Sequence, residues 1–172
     1  MSDLFRYAKI AYVKACEEFN WVAKKYNDTH ISIQNNGIIE YKSEEALPVF
    51  ICISNVIHKA IEWYVRIDKS KLAQKQKDLF SGVRHVDNIL KHENKTHIEI
   101  YDFIRPCPKF EIVRKNGVIK PNVSCSYVFM DIEYIPCDKE YISQRKNYNR
   151  FLNGKDVIEI FDQISHILED NS

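Results

Sequence analysis

The sequence is poor in chain breakers, with 4 glycines and 5 prolines in 172 residues. That scarcity favours long regular elements and argues against disorder. No apolar run approaches the ~20 residues of a membrane span, so no membrane location is expected. The opening Met-Ser-Asp-Leu-Phe-Arg has no basic segment leading into an apolar run. A secretory leader is therefore not expected, and the cytoplasm is the expected compartment. Charge of one sign is missing too: 25 Lys and Arg stand against 24 Asp and Glu, a net of +1. A nucleic-acid partner would then need a local basic patch.

The 5 cysteines are odd in number and form no CxxC pair, which argues against a zinc ribbon and a disulfide framework. Cys16 and Cys52 read as small buried hydrophobes. A Gly-rich phosphate loop and a GxSxG elbow are both absent. His92 and His97 flank a Glu but stand one residue too far apart for HExxH, whose histidines must share a helix face. Neither metal nor cofactor is expected.

What is present reads as one domain of α+β class, mainly α. An antiparallel helical bundle spans 3–92, a small antiparallel strand insert about 98–135, and two C-terminal helices 138–169. Leu4, Ala8, Ala11, Ala15, Phe19 and Val22 make one apolar stripe on a helix over 3–26. Tyr7, Tyr12, Trp21 and Tyr26 widen it, as core and flank or as a surface on which bases stack. Ile31 and Ile33 alternate with polar residues before Asn36-Gly37, which predicts a short hairpin. Ser43 is placed to cap a second helix, with Pro48 in its early turns. Val49–Val65 is apolar nearly all round, as a central buried helix requires. His58 lies inside that run, as a satisfied core histidine or as a ligand.

Ser70 is expected to open a third helix with Leu72, Leu79, Val83, Val86 and Leu90 as its core stripe. Beyond it the period changes. Phe110, Ile112 and Val113 precede Asn116-Gly117, and Val123, Cys125, Tyr127 and Phe129 follow it with alternation. Two or three antiparallel strands are predicted, short or at edges because Pro106, Pro108, Pro121 and Pro136 punctuate them. Asn153-Gly154 stops the first C-terminal helix. Asp156 and Glu159 have capping-box spacing at the start of the second, whose stripe is Val157, Ile160, Phe161, Ile164 and Leu168.

Chemistry concentrates on the third helix. At 100° per residue, Val83, Val86 and Leu90 fall together, and His85, Asn88 and His92 fall nearly opposite. Arg84 and Lys91 lie between. An Arg suits phosphate, a His works as acid or base near neutral pH, and an amide orients either. A metal-independent RNase acting through the ribose 2′-hydroxyl needs little more. An ordinary solvated face, with Asp87 and Lys91 as an i,i+4 pair, is the plainer reading. Arg145, Lys146, Tyr148 and Arg150 interleave cations with aromatics, as a nucleic-acid surface or as another solvated helix face.

The run Asp87-Asn88-Ile89-Leu90-Lys91-His92 resembles, from its second residue on, the motif of HEPN (higher eukaryote and prokaryote nucleotide-binding) domains. These are helical bundles, many of them dimeric endoribonucleases of phage defence or toxin systems. The resemblance implies Asn88 at the polar position, His92 as the catalytic histidine, and a symmetric homodimer acting on RNA. The motif Arg falls at Asp87, so Arg84, one turn earlier, would serve as the phosphate clamp. The alternative is a non-enzymatic regulator or inhibitor from a phage or mobile element. Its strand insert would bind a protein partner through Tyr127, Phe129, Tyr134 and Tyr141.

Overall fold

A computed structural model describes residues 3–33, 39–41, 43–91, 99–115 and 118–171. The chain is mainly helical, with a small antiparallel sheet component, as its periodicities predict. Helix α1 runs Asp3–His30. Its core stripe is Phe5, Ala8, Tyr12, Ala15, Phe19, Ala23 and Tyr26. This is rotated from the expected stripe: Leu4 stands exposed, and Phe5, Tyr12 and Tyr26 take the inside. The rings have more apolar area to remove from water than the small residues that suggested the other face. Tyr7 and Trp21 remain exposed.

Strands β1 (Ile31–Ile33) and β2 (Ile39–Tyr41) pair antiparallel as a hairpin. The Asn36-Gly37 turn lies outside the described residues. Ser43 does not cap the next helix; it opens a 3-10 turn through Ala46. Helix α2 then runs Leu47–Tyr64 with Pro48 in its first turn, where a missing N–H costs nothing. It is the central helix, and Val49, Ile53, Val56, Ala60 and Trp63 are fully buried. Phe5 and Tyr12 both meet Trp63, so α1 and α2 run antiparallel.

Ser70 does not begin α3. The Asp68 carboxylate accepts from Ser70 N and caps a 3-10 turn, and α3 follows as Gln74–Lys91. Tyr64 stacks on Phe80 at 4.1 Å, and His58 meets Asp87, so α3 runs antiparallel to α2. Leu79, Val83 and Val86 form the expected inner stripe, while Leu72 is buried just before the helix begins and Leu90 is half-buried.

Strands β3 (Ile104–Lys115) and β4 (Val118–Phe129) form one antiparallel ribbon, longer than the prolines suggested. Lys115 pairs with Val118, and the expected Asn116-Gly117 turn lies outside the described residues. Pro106, Pro108 and the Ile112–Pro121 pair all share one parity of the ladder. Pairs of an antiparallel ladder alternate between hydrogen-bonded and not, and a proline fits the second kind without losing a ladder bond. Cys125 pairs with Pro108, and its N–H turns away to Asn27 Oδ1 at 3.1 Å. Phe129, of the same parity, sends its N–H to Lys155 O.

Helix α4 is Ile142–Phe151, and α5 is Val157–Asp170. Gly154 has φ 75°, the left-handed conformation that ends α4 and turns the chain. Asp156 then caps α5 through Ile158 N. The predicted α5 stripe is buried, and Tyr12 donates to Phe161 O across the core. No described helix is long and apolar enough to cross a membrane.

Candidate functional site

The outward face expected of α3 is covered by α4. The helices cross at Gly82, where an added Cβ would lie 2.9 Å from Tyr148 N and 3.0 Å from Asn147 C. His85 is therefore buried, 6.3 Å from the Tyr148 ring between centroids. Burial first, and the Arg145 guanidinium second, push its pKa down to about 4. It is a neutral core imidazole at neutral pH, which corrects its placement on a solvent face. Asn88 is half-buried and donates to Gln144 Oε1 of α4 at 3.3 Å. Arg84 lies over the Tyr64 ring at 5.8 Å. His92 lies outside the described residues.

Asp87 is buried too. Its Oδ2 accepts from Lys91 Nζ at 2.6 Å, the expected i,i+4 pair. Its Oδ1 lies 3.0 Å from His58 Nδ1, leaving Nε2 3.4 Å from Glu62 Oε1. A buried acid holding Nδ1 is the arrangement that orients a histidine base. His58 borders a groove of about 550 Å³ with Glu18, Ile51, Asn55, Leu90 and Glu99 among its walls. The acids Glu18 and Glu99 at that groove repel a phosphate backbone rather than draw it in. Among the described residues, no three His, Cys, Asp or Glu side chains converge to hold a metal ion.

The basic-aromatic cluster of α4 does not form one surface. Tyr148 is fully buried and donates to Met130 O at 2.7 Å, so it offers no face to a base. Arg145 donates to the carbonyls of Ile132 and Ile135. Both side chains hold the 130–135 segment against α4. Lys146 and Arg150 are exposed, with Arg150 over the Phe151 ring.

The ribbon carries a feature that alternation in the sequence only half revealed. One of its faces is apolar from Ile104 through Ile112, in the pairs Ile104–Phe129, Pro106–Tyr127, Pro108–Cys125 and Phe110–Val123, and Arg114 comes next on the same face. The proximal half of this face is core: Ile104, Tyr127 and Phe129 are each 1% exposed. Phe19 and Phe50 pack edge-on to Tyr127. The distal half continues into solvent, with Phe110 at 54% and Ile112 at 70%. Tyr127 and Phe129 are thus interior residues and not partner anchors. Tyr134 is exposed but donates to Asp102 O, and Tyr141 is half-buried. The exposed apolar pair, Phe110 and Ile112, was legible as alternation but not as surface.

The ribbon root is fastened on several sides. Asn27 of α1 holds Cys125 N. Gly154 N donates to Phe129 O, and Lys109 Nζ meets Asp156 Oδ2 at 2.9 Å. Comparison with protein-family models, with curated proteins and with solved structures found no match.

Proposed function

We propose that this chain is a non-enzymatic protein-interaction module that engages a partner through the distal half of its β3–β4 ribbon. The observation that carries this reading is the apolar ribbon face that leaves the core and continues into water at Phe110 and Ile112. An exposed apolar stripe on an otherwise paired ribbon costs solubility unless something covers it. Covering these two side chains is worth about 2–3 kcal/mol, roughly a hundredfold in affinity.

The α3 features favour this reading over cleavage. Arg84 and Asn88 are both engaged by their own chain, and acids line the neighbouring groove.

The test is site-specific photo-crosslinking from position 112 in the producing cell, with position 146 on α4 as the exposed control. The expected result is a discrete crosslinked protein from 112 that is absent from 146. It should disappear in Phe110→Glu, a variant expected to melt within a degree or two of the parent. Equal products from both positions would refute the reading. So would RNA cleavage without metal that is lost in both His92→Ala and Arg84→Ala, since that would restore the HEPN-like enzyme.

A further inference from the structure

We infer that the outer edge of β3, from Phe110 to Arg114, takes an extended, acidic, alternately apolar segment of a partner protein as a third strand. The inference rests on the ribbon being the interaction surface and adds its geometry and the chemistry of its occupant.

Ladder parity decides which backbone groups are open. Cys125 and Phe129 show that residues of this parity aim their N–H away from the opposite strand. The matching residues on β3 are Ile104, Pro106, Pro108, Phe110, Ile112 and Arg114. Pro106 and Pro108 have no N–H, so the proximal edge cannot extend the sheet. Phe110, Ile112 and Arg114 present three consecutive outward donors. The β4 edge has no such run: Cys125 and Phe129 are already bonded, and Pro121 has no donor. One edge, over a length of a few residues, is therefore built for strand addition.

Side chains set the occupant. Phe110, Ile112 and Arg114 share one face at period two, so an added strand meets two apolar neighbours and then a guanidinium there, with Glu111 and Val113 on the other face. The segment from Lys109 to Lys120 carries Lys109, Arg114, Lys115 and Lys120 against Glu111. Lys109 is engaged by Asp156, which leaves Arg114, exposed at the distal end of the described edge, to meet the occupant. An acidic residue of the added strand beside Arg114 complements it. A second copy paired antiparallel about Ile112 would set each Arg114 beside Phe110 and give it no acid. A nucleic acid would match the charge but leave Phe110 and Ile112 against a phosphate backbone.

The test uses the full chain and short fluorescent peptides that alternate valine with threonine and end that valine face in glutamate, to lie beside Arg114 (the valine–glutamate peptide), or in lysine, or that carry the valine–glutamate peptide's residues without alternation. A single-stranded RNA and a DNA duplex complete the set, read by anisotropy. The valine–glutamate peptide is expected to bind at least tenfold more tightly than any other probe. Ile112→Pro, which removes one outward N–H, is expected to weaken it at least tenfold. N-methylating alternate amides of the peptide should do the same without altering the protein. Arg114→Glu is expected to weaken binding at least fivefold. Binding insensitive to both Ile112→Pro and N-methylation, yet lost in Ile112→Glu, would overturn strand addition while leaving the ribbon as the interaction surface. Preference for a nucleic acid, or self-association lost in Ile112→Glu, would overturn the assigned occupant. Crosslinking from position 112 in cells without peptide binding would overturn this inference and leave the broader reading standing.

Discussion

His85 makes acid sensitivity a measurable consequence of α4 packing on α3. Its side chain is buried, and burial holds its pKa at about 4 against an ordinary 6.5. The unfolded chain returns the imidazole to the ordinary value. Between these two pH values the unfolded state binds a proton that the folded state refuses. The folded pKa is the lower one, so this contribution is whole above pH 6.5 and is lost as pH falls toward 4. At 1.36 kcal/mol per tenfold change, the full interval is worth about 3 kcal/mol. Between pH 7 and pH 4.5 the loss is about 2.4 kcal/mol, a substantial part of the 5–15 kcal/mol of an ordinary domain. Urea unfolding followed by tryptophan fluorescence should be measured at both pH values, for the parent and for His85→Leu. Leu is apolar, close in size and does not titrate. Carboxylates such as Glu62 and Asp68, whose pKa values lie below the usual range, respond in both proteins and cancel in the difference. The parent is expected to lose about 2 kcal/mol more than the variant. Equal losses would refute the burial of a neutral His85 and with it the close covering of α3 by α4.

Two further substitutions probe the packing. Gly82→Ala places a Cβ against the backbone of Asn147 and Tyr148, which cannot swing aside. The helix-propensity gain of about 1 kcal/mol is outweighed by overpacking, and the melting temperature is expected to fall by about 2–8 °C; an unchanged or higher value in a thermal melt would contradict the close crossing. Among the described residues, the Tyr127 hydroxyl is buried without a hydrogen-bond partner. Tyr127→Phe removes an unpaid desolvation and is expected to stabilise the chain by about 1 kcal/mol in urea unfolding, with destabilisation the contrary result.

Much of this architecture is written in local pattern. The inner stripe of α3, the stripe of α5 and the antiparallel pairing of β3 with β4 follow from period and turn chemistry. What escapes the sequence is coverage by distant segments. Nothing near His85 announces that residues 142–151 will lie across it. Nothing near Asp87 announces His58 as its partner. On α1, small residues and rings offered overlapping stripes, and the larger apolar surfaces took the core. The ribbon shows the same division: alternation identifies its apolar face, but the point where that face leaves the body depends on the reach of α1 and α2. For that reason Tyr127 and Phe129 read as anchors when Phe110 and Ile112 are the exposed pair.

The bonds from Asn27, Lys155 and Asp156 to the ribbon root give the arm a mechanical character. An arm tied along its β4 edge to α1 and to the α4–α5 corner behaves as a spoke fixed to a hub, not as a tether. The described edge from Phe110 to Arg114 inherits that anchorage, so capture there sacrifices little orientational freedom. A pull or twist on that edge is delivered to the helices at the hub.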